Sequence, residues 1–540
     1  MRGFASIFIN KRDLIKMVSK TKIFVTGVII SGTFAGVMST REPSREVFRL
    51  LPEWQMYLFW FLGFLTLFTF TAFAYIRLKR YDIFKLIKEK GFWRKFGKAL
   101  WTASTNKTVF HGDIFAGLMH FFIFWGMIAL LIGTIIIMVD VDIVGNLNPD
   151  WRFWWGTFYI IYSFTLDLSG LLVIIGAFGM MGRRIYLSKT QMSYQTATLK
   201  DEQIKKASLM DDWIFIVLLF IVIITGFLDE GLRLMSNSYV GKESYSFLGT
   251  FIANVLLGSG MSGSFADYIF PQVWWTHAIL SFIWMIYVPL SKSWHIFAGI
   301  LSLTLSDPLA GRRLSKPNLE DEQNLPTGTV KELTPKSFVM IDACMRCGRC
   351  HQICPARQCN QPLSPRDIIM NMKHLDPKNK DVKIVGDLIK EETIWACTTC
   401  FGCMNRCPVL IEHIPFIVQF RRYLVMIEGK IAPEVQNTLT SLQRYSNTYN
   451  RSNSERADWK ENLNVKTLDE SNETDILFFV GCAASFDPRN QQIAKSFIKV
   501  LQNANVDVAI LGAVEGCCGD PARRIGDEML AQNLMQANVD

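Results

Sequence analysis

Long apolar runs separated by polar segments dominate the first 300 of the 540 residues. A membrane-spanning helix needs about 20 mostly apolar residues. Five runs meet or approach that length, at residues 54–76, 114–138, 154–181, 213–228 and 273–290. The pattern therefore predicts an α-helical transmembrane bundle.

A sixth apolar run at residues 23–38 is richer in Gly, Ser and Thr than the other five. Its basic leader is long, and no Ala-x-Ala cleavage site follows it, which favours a retained span over a signal peptide. The bundle is thus expected to have five or six spans.

The pattern changes after the last apolar run. Residues 305–337 carry prolines and mixed charges and predict a linker, and residues 431–474 predict a polar connector whose part at 450–474 runs over the surface. Further on, an apolar run at 475–480, a helical pattern near 491–504 and a second apolar run at 506–511 alternate. This alternation is typical of an α/β domain.

Charge in the short loops predicts the orientation of the spans, because cytoplasmic loops are rich in Lys and Arg. The loop at 77–107 holds ten Lys or Arg against two Asp or Glu, and the loop at 182–212 is also basic. Residues 140–153 and 229–272 are poor in basic side chains. We therefore expect a multi-pass protein of the cytoplasmic membrane whose C-terminal half faces the cytoplasm.

The net charge of +9 comes largely from those loops. Membrane topology explains it, so it does not indicate a nucleic-acid partner. All twelve cysteines lie between Cys344 and Cys518. This distribution argues against a disulfide framework and for a thiol-reducing compartment around the C-terminal half, in agreement with the charge pattern.

Eight of the cysteines form two copies of one motif, C-x2-C-x2-C-x3-C-P. The first is Cys344-Met-Arg-Cys347-Gly-Arg-Cys350-x3-Cys354-Pro355, and the second is Cys397-Thr-Thr-Cys400-Phe-Gly-Cys403-x3-Cys407-Pro408. In such pairs three cysteines of a run bind one [4Fe–4S] cube, and the fourth binds the other cube. The spacing predicts cluster A on Cys344, Cys347, Cys350 and Cys407, and cluster B on Cys397, Cys400, Cys403 and Cys354.

Two structural zinc sites are the alternative for these cysteines. A fourth cysteine followed by proline in each run favours paired clusters instead. Cys359 lies outside both runs and is expected to be a bystander thiol. His351 and His413 lie beside cluster cysteines, where hydrogen bonds could tune reduction potentials, although a surface position is the default.

Four of the seven histidines lie at or in the apolar runs: His111, His120, His277 and His295. Ionisable residues at membrane depth are costly and usually functional, and imidazoles on facing helices are suitable axial ligands for haem iron. His277 and His295 are 18 residues apart, roughly 27 Å along a regular helix, and would share one face. His111 and His120 would face opposite ways on an ideal helix, so local unwinding near His111 is required.

With the orientation above, His111 and His295 lie near the cytoplasmic side and predict an inner haem b. His120 and His277 lie farther out and predict an outer haem b. Helix-packing histidines are the alternative.

Carboxylates near the outer haem are candidates for quinone chemistry, which needs a proton donor or acceptor. Asp229, Glu230 and Arg233 fall at the outer end of a span, where the alternative is a solvated helix end. Asp167 lies inside a span and would belong to a proton path or pair with a neighbouring polar group. The sequence contains no glycine-rich phosphate loop, nicotinamide motif or nucleophile–base arrangement.

The chain resembles known families in two parts. Residues 54–300 resemble the haem b membrane protein of respiratory nitrate reductase, and residues 338–540 resemble the D-type iron–sulfur protein of heterodisulfide reductase and the related sulfite-reduction membrane complex. The combination most resembles the membrane-bound electron-transfer-flavoprotein:menaquinone oxidoreductases. The stretches that carry this resemblance are Thr225-Gly-Phe-Leu-Asp-Glu-Gly-Leu-Arg233, Pro362-Leu-Ser-Pro365, Trp395-Ala-Cys-Thr-Thr-Cys400 and Gly519-Asp-Pro-Ala-Arg-Arg524.

The same resemblance extends to Cys482 and the Cys517-Cys518-Gly519 triplet, which match the first part of the cysteine-rich CCG domain. In that family the domain continues with a C-x2-C pair and a second copy, and it holds a further iron–sulfur cluster. The sequence stops at Asp540 before either, which indicates an incomplete domain or a separate polypeptide for the rest. Buried cysteines without a metal are the alternative for these three residues.

The sequence thus predicts six segments. They are a leader and anchor at 1–45, a haem b bundle at 46–304, a linker at 305–337, a two-cluster ferredoxin-type domain at 338–430, a connector at 431–474 and a partial CCG domain at 475–540.

The expected function is an oxidoreductase that passes electrons between a cytoplasmic donor and the menaquinone pool, with electron transfer flavoprotein as the donor that the resemblance implies. The alternatives are electron transfer with a thiol/disulfide or sulfur couple, and a non-catalytic membrane anchor for soluble redox proteins.

Overall fold

A computed structural model of the protein describes residues 48, 50–187, 202–235, 245–321, 325–373, 375, 378–460, 463–468, 470 and 473–540. The apolar run at 23–38 lies outside the described residues. The chain forms two compact units. Unit 1 comprises Met1–Arg77, Trp101–Ser188 and Ala207–Trp294, and unit 2 comprises Leu78–Leu100, Lys189–Lys206 and His295–Asp540.

Within the described residues, five helices are long and apolar enough to cross a membrane, at Glu53–Arg80, Ile114–Val144, Gly156–Leu187, Ser208–Met235 and Gly263–Leu290. These are the five runs expected from the apolar pattern, each longer than the run itself. The helices of this half of the chain are α1 (Glu53–Arg80), α2 (Ile83–Leu86), α3 (Phe92–Ser104), α4 (Lys107–Phe110), α5 (Ile114–Ile137), α6 (Gly145–Leu147), α7 (Gly156–Leu187), α8 (Glu202–Met235), α9 (Phe247–Gly258) and α10 (Gly263–Leu290).

Small residues bring the long helices of unit 1 close together, as is common in membranes. A Cβ atom on Gly126 of α5 would lie 2.7 Å from the carbonyl oxygen of Ser169 in α7. A Cβ on Gly176 of α7 would likewise lie 2.7 Å from the carbonyl oxygen of Met119. Larger residues at either glycine would separate α5 from α7. Large apolar side chains such as Phe61 and Phe68 of α1 stay exposed, as expected of a surface that faces lipid.

Unit 2 contains short helices, most of which begin at a proline or a capping residue. They are α11 (His295–Leu305), α12 (Pro335–Ala343), α13 (Arg349–Ile353), α14 (Pro355–Gln358), α15 (Pro365–Met372), α16 (Glu391–Trp395), α17 (Gly402–Arg406), α18 (His413–Arg422), α19 (Pro433–Tyr445), α20 (Gly481–Phe486), α21 (Pro488–Asn503), α22 (Asp520–Ile525) and α23 (Glu528–Ala537). The cysteine motifs lie at the ends of these helices, where the chain turns.

The loop after α1 is part of unit 2 and is anchored to α12. Tyr81 donates a hydrogen bond to Asp342 over 2.6 Å, and Arg80 forms an ion pair with the same carboxylate at 3.3 Å. Arg80 also donates to the carbonyl oxygen of Leu375 at 2.6 Å. These contacts place the loop that follows the first span beside the helix that leads into the first cysteine motif.

The last part of the chain contains a three-stranded parallel sheet in the order β1 (Lys466–Thr467), β3 (Val508–Ile510), β2 (Ile476–Phe478). Strands β2 and β3 and helix α21 occupy the positions that the sequence predicts. Most of the described residues of 450–474 are exposed or half-buried, as expected of a surface segment, and the segment contains a 3-10 helix at Asn453–Lys460. Three of its side chains are nevertheless buried, those of Arg456, Trp459 and Val465, and the last two share a core with Ile498 and Val508.

Candidate cofactor sites

Two cavities in unit 2 are each lined by four of the motif cysteines. Cradle A is lined by Cys344, Cys347, Cys350 and Cys407, with Met345, Arg346, Gly348, Arg349, Arg366, Pro408, Val409, Ile411 and His413. Cradle B is lined by Cys354, Cys397, Cys400 and Cys403, with Pro355, Leu363, Pro365, Ile368, Thr398, His413, Ile414 and Ile417. Each cradle thus takes three cysteines from one run and the last cysteine of the other. The structure brings together the same two sets that the sequence assigns to clusters A and B.

The ligand sets of the cradles suit paired clusters better than single ions. Each cradle takes its fourth cysteine from the other run, which is the arrangement of two [4Fe–4S] clusters rather than of two separate zinc sites. In the described part of the chain, no group of three or more His, Cys, Asp or Glu is arranged to hold a single metal ion.

Backbone amides point at the cysteine sulfurs in equivalent places of the two runs. The amide of Thr399 lies 3.4 Å from Sγ of Cys397, and the amide of Arg346 makes the same contact with Cys344. Ile411 donates its amide to Sγ of Cys407 at 3.3 Å. Such hydrogen bonds stabilise negative charge on sulfur and are part of how proteins set the potential of an iron–sulfur cluster.

Burial in turn opposes charge on these sulfurs while no metal is bound. It raises the pKa of Cys407 to about 12 and also raises the pKa values of Cys350 and Cys403. The neighbouring cysteines of the same cradle add to the effect, because adjacent thiolates repel each other. Metal binding must therefore displace the protons, which couples cluster assembly to folding. A bound [4Fe–4S] cube would supply reversible one-electron chemistry at each cradle.

The two runs share an unusual backbone. Arg346 and Thr399, each directly before the second cysteine of its run, have φ angles of 61° and 52°. Directly after the second cysteine, Gly348 and Phe401 have φ angles of 75° and 63°. Left-handed conformations at residues other than glycine are uncommon. Their recurrence at the same positions indicates that both loops are shaped for the same task.

The side chains around the two cradles differ. Cradle A is lined by three arginines, Arg346, Arg349 and Arg366, and all three are buried. Arg366 forms an ion pair with Asp367 at 2.8 Å. The lining of cradle B is apolar apart from Thr398, His413 and the cysteines. Part of this difference is visible in the sequences of the two motifs, since an arginine precedes the second and the third cysteine in the first run only.

The two cradles differ in the exposure of one cysteine. Its Cys400 is exposed, whereas the cysteines of cradle A are buried or half-buried. Cys359 is also exposed and lines neither cavity.

The expectation that His351 and His413 lie on the surface is wrong. His351 is 1% exposed, and its ring nitrogens contact the Ser364 hydroxyl at 2.8 Å and Nε of Arg357 at 3.1 Å. His413 is 5% exposed and lines both cradles, with Nδ1 donating to the carbonyl oxygen of Ile411. Burial lowers the pKa of each to about 4, so both rings are neutral at physiological pH. His413 is the side chain that lies between the two cradles.

The three remaining cysteines meet at a third site. Cys517 is buried and shares hydrogen bonds with Cys482 and with Cys518, which is exposed. Hydrogen bonds from the Cys517 thiol lower the pKa values of both neighbours. Cys482 and Cys518 both contact Cys517, and sulfurs this close together, one of them exposed, can take part in disulfide chemistry. The further cluster that the family resemblance implies at these cysteines stays a prediction.

A buried ion pair supports this third site, and no sequence pattern indicated it. Arg456 comes from the segment expected to be a surface connector, yet it is 2% exposed and donates to Sγ of Cys482 at 3.1 Å. It pairs with Glu515 at 2.8 Å. Glu515 also accepts the amides of Val480 and Gly481, each at 2.8 Å. The pair therefore fixes the turn that presents Cys482.

Cradle A lies next to α11. The hydroxyl of Ser302 donates to the carbonyl oxygen of Val409 at 2.7 Å, and a Cβ on Gly299 would lie 3.3 Å from the Val409 side chain. Val409 follows Cys407 and Pro408 in cradle A. Helix α11 also packs on α12, whose C-terminal end is capped by Cys344.

Cradle B lies next to the cysteine-rich domain. The guanidinium of Arg524 sits 5.3 Å above the ring of Phe401, which lies between Cys400 and Cys403. Arg421 of α18 donates to the carbonyl oxygens of Ile394 and Cys397 on one side and to that of Arg524, at 2.9 Å, on the other. Arg524 ends the segment Gly519–Arg524, which begins beside Cys518.

In unit 1, His120 and His277 each have Nδ1 engaged. His120 contacts the side-chain oxygen of Asn106 at 2.6 Å, and His277 contacts the Thr225 hydroxyl and the Val222 carbonyl oxygen, both at 3.1 Å. Bonds of this kind to Nδ1 orient an imidazole so that Nε2 is available to a metal. The assignment of both rings as haem ligands, and their pairing, stay predictions.

His111 and His295 lie at breaks between helices. His111 caps α4, and Gly112, with φ of 83°, separates it from α5, so the two histidines 111 and 120 are not on one regular helix. This is the local unwinding that the predicted pairing requires. The expectation of one regular helix from His277 to His295 is wrong. Helix α10 ends at Leu290, a 3-10 turn follows at Lys292–Trp294, and His295 begins α11 in unit 2.

The predicted quinone-site residues are buried rather than solvated. Asp229 and Arg233 are 5% and 2% exposed, because α8 continues past them to Met235. Arg233 lies 3.4 Å from Glu230, and Glu230 makes a side-chain hydrogen bond with Asp167. Asp167 also accepts the amide of Leu248 at 2.7 Å. The structure thus brings two carboxyl groups, those of Asp167 and Glu230, close together inside the bundle.

Comparison with known families agrees with the cysteine sites. The family described as 4Fe-4S dicluster domain matches residues 340–411, and the family described as cysteine-rich domain matches residues 476–540. These ranges contain the two cradles and the third site. No solved structure matches the chain.

Three relatives illustrate the range of similar proteins. The EtfAB:quinone oxidoreductase of Syntrophomonas wolfei is 31% identical over 79% of this chain and 63% of its own length. The probable iron-sulfur-binding oxidoreductase FadF of Bacillus subtilis is 30% identical over 86% of this chain and 71% of its own length. The D-type protein of the dihydromethanophenazine:CoB–CoM heterodisulfide reductase of Methanosarcina barkeri is 29% identical over 40% of this chain and 55% of its own length.

The chain is thus a membrane protein of mostly helical fold, with apolar helices followed by a dicluster domain and a cysteine-rich domain. This chain belongs to the family of membrane-bound iron–sulfur oxidoreductases that includes FadF and the EtfAB:quinone oxidoreductase.

Proposed function

We propose that this oxidoreductase passes electrons between electron transfer flavoprotein and menaquinone through two [4Fe–4S] clusters and two haems b. Cradle A would hold one cluster and cradle B the other. The observation that carries the proposal is the order of sites in unit 2. The cysteine-rich site, cradle B, cradle A and the helix that begins at His295 follow one another through direct contacts.

The order supports a path because each neighbour is held by named contacts. Arg524 and Arg421 join the cysteine-rich domain to the loop of Cys397. His413 is shared by the two cradles. Ser302 joins α11 to the chain beside Cys407. Electrons that arrive at cradle B would therefore leave toward His295.

The membrane end of the path is proposed from the histidines. His111 and His295 would bind the inner haem, and His120 and His277 the outer haem, with haem supplying one-electron exchange with quinone. Because quinone reduction also takes up protons, the Asp167–Glu230 pair and Arg233 are proposed to exchange them, and the buried Asp229 would take part.

The same side of the membrane is proposed for the loop after α1 and for the cluster domain. The contacts of Arg80 and Tyr81 with Asp342 support this, since they tie the end of the first span to the start of cradle A. The basic charge of that loop favours the cytoplasmic side. A cytoplasmic cluster domain is accessible to a soluble flavoprotein.

The names of the relatives support the donor and acceptor. The protein from Syntrophomonas wolfei is named for EtfAB and quinone. This chain spans 63% of that protein's length. We therefore propose the same donor and acceptor for this chain on the basis of the similarity.

The direct test is to mix the purified full chain anaerobically with reduced electron transfer flavoprotein and to monitor the haem absorbance. Rapid haem b reduction, reversed by a menaquinone analogue, is the expected result. Haems that stay oxidised with the flavoprotein but are reduced by dithionite would overturn the donor. A haem-free protein that does not reduce menaquinone would overturn the whole proposal and favour a membrane anchor for soluble redox proteins.

The haem assignment has its own test. His277→Ala should remove one of two haems. Thr225→Val, which removes the hydroxyl that contacts Nδ1 of His277 and the carbonyl oxygens of Ile221 and Val222, should retain both. The haem-to-protein ratio from the pyridine haemochrome spectrum measures this. Two haems in the His277→Ala variant would contradict the assignment.

A thiol/disulfide couple is the second candidate function. The contact between Cys482, Cys517 and the exposed Cys518 favours it, as does the similarity to a heterodisulfide reductase protein. Reduction of a disulfide substrate by the protein, lost in Cys518→Ser, would support this function. The loss of menaquinone reduction with flavoprotein in the same variant would instead place the cysteine-rich site on the path from the flavoprotein.

A further inference from the structure

The two cradles have the same cysteine geometry but different charges around it. Arg346 and Arg349 of cradle A occupy the register positions that Thr399 and Gly402 occupy in the second run. Both arginines are buried, at 5% and 7% exposure, and both line the cavity. Arginine stays protonated in proteins, so these positions are permanent positive charges.

Two further cations lie at cradle A. Lys373 donates to the carbonyl oxygen of Cys344 at 3.2 Å. Arg366 also lines the cavity, but its ion pair with Asp367 largely compensates its charge. Two cations lie close to cradle B, and neither lines its cavity. Arg421 reaches the carbonyl oxygen of Cys397, and Arg524, which lies over the Phe401 ring, forms an ion pair with Asp520 at 2.7 Å.

A cube held by four thiolates becomes more negative when it takes up an electron. Nearby positive charge therefore stabilises the reduced form and raises the reduction potential, most strongly where water is excluded. Water near the exposed Cys400 acts in the same direction at cradle B. The cations that line the cavity of cradle A outweigh it, because they lie among buried groups and solvent screens them less.

We propose that Arg346 and Arg349 hold the cluster of cradle A at a higher reduction potential than the cluster of cradle B. Electron transfer from B to A is then downhill, toward the helix that begins at His295. One electron leaves the reduced cluster of cradle B and reduces that of cradle A, with no bond made or broken. The electron comes from a reduced flavoprotein, and in this respect the inference rests on the proposed function.

The backbone conformation of Arg346 is consistent with a role for its charged side chain. Its φ angle of 61° costs free energy for a residue with a Cβ atom, and glycine would remove that cost. The equivalent Thr399 shows that the loop accepts a shorter uncharged residue in the same conformation. An exchange of the two side chains therefore changes the charge while the backbone and its amide contact to sulfur are preserved.

The test is a redox titration of the purified full chain with dithionite and mediators, monitored by electron paramagnetic resonance. Cys347→Ser and Cys400→Ser identify the signals of cradles A and B. The wild-type protein should show the higher midpoint at cradle A. Arg346→Thr should lower that midpoint potential by about 59 mV, which for one electron is a tenfold change in the equilibrium constant. Thr399→Arg should raise the midpoint of cradle B by a similar amount.

Controls separate charge from packing. Arg346→Lys keeps the charge and should retain the wild-type midpoint. Arg451→Gln removes a cation from an exposed ion pair in the same unit and should move neither signal. A wild-type midpoint at cradle B equal to or above that of cradle A would overturn the inference. So would an unchanged midpoint in Arg346→Thr with both clusters present.

If Arg346→Thr fails to assemble its cluster, the wild-type titration and Thr399→Arg still decide the matter. The titration uses neither flavoprotein nor quinone. It therefore gives the same answer whether or not the proposed donor and acceptor are correct.

Discussion

Cradle A and cradle B are two solutions to one problem within a single chain. Both use a C-x2-C-x2-C-x3-C-P run, both exchange their last cysteine with the other run, and both have left-handed residues on either side of the second cysteine. They differ in what surrounds the sulfurs. Cradle A is lined by arginines and joined to α11. Cradle B is lined mostly by apolar side chains, has one exposed cysteine and is joined to the cysteine-rich domain.

This difference shows that ligand spacing and electronic tuning are separable. The spacing of the cysteines fixes the loop conformation and the ligand sets, because a cube imposes one geometry. The residues between the cysteines are free to vary, and in this chain they differ in charge. A motif search therefore finds both cradles equally well and gives no information on which of them accepts electrons from the other.

The largest effect is expected from breaking the exchange of cysteines. Cys354→Ala should abolish the cluster of cradle B and Cys407→Ala that of cradle A, although each cysteine lies in the other run. Iron and acid-labile sulfide per chain, with electron paramagnetic resonance, measure the loss. Cys359→Ala is the matched control and should lose nothing, since this exposed cysteine lines neither cavity. Loss of cluster A in Cys354→Ala would show that the runs bind independently.

Exposure should separate the cradles kinetically. Treatment with ferricyanide or an iron chelator should remove the cluster of cradle B several-fold faster than that of cradle A, because only cradle B has an exposed cysteine. The decay of the two signals, followed over time in one sample, measures both rates under the same conditions. Equal rates would indicate that the cradles open together.

Replacement of Arg421, which lies beside cradle B, is expected to have a smaller effect, on the reduction potential of cluster B. Arg421→Gln should lower the potential of cluster B by at most about 59 mV, a tenfold change in the equilibrium constant, and so widen the gap to cluster A. Arg421→Lys should retain most of the potential because it keeps the charge. Arg422→Gln is the neighbouring control, since Arg422 pairs with Glu528 at 2.7 Å and does not line either cradle. A lower potential of cluster A, rather than of cluster B, in Arg421→Gln would contradict the placement of Arg421 beside cradle B.

The smallest effect concerns the link between cradle A and α11. Ser302→Ala removes the hydrogen bond to the carbonyl oxygen of Val409 and should destabilise this contact by about 1 kcal/mol. Cluster A should then be released at a lower urea concentration, while the release of cluster B is unchanged. Ser306→Ala, whose hydroxyl contacts the nearby carbonyl oxygen of Leu303, is the control. An equal shift at both cradles would argue against a local contact.

Much of the fold could be predicted because its signals are local. Five apolar runs long enough to span a membrane, two cysteine motifs and an alternation of strand and helix each lie within a short stretch of sequence. The helices extend beyond the runs, as α8 does past Asp229 and Arg233, since polar residues that pair inside a bundle do not end a helix.

The errors concern residues whose environment is set by distant parts of the chain. His351 lies in a polar stretch, and its partner Ser364 is 13 residues away. His413 has Ile411 and Ile414 as close neighbours, an apolar context that could have marked it as buried. Arg456 and Trp459 lie in a polar segment, yet both side chains are buried. Trp459 packs in the core beside the sheet, and Arg456 forms an ion pair with Glu515. The break between His277 and His295 could have been suspected from Pro289, although proline also occurs inside α10 at Pro271.

The sequence by itself determined the class of protein, the ligand sets of the two cradles as predictions, and the presence of apolar spans, because each rests on residue type and spacing along the chain. Only the tertiary structure decided which cradle carries buried charge, which adjoins α11 and which adjoins the cysteine-rich domain. Those properties depend on side chains brought together from α12, α15, α18 and α22. Burial and electrostatic interaction act through space, so the order of residues along the chain does not specify them.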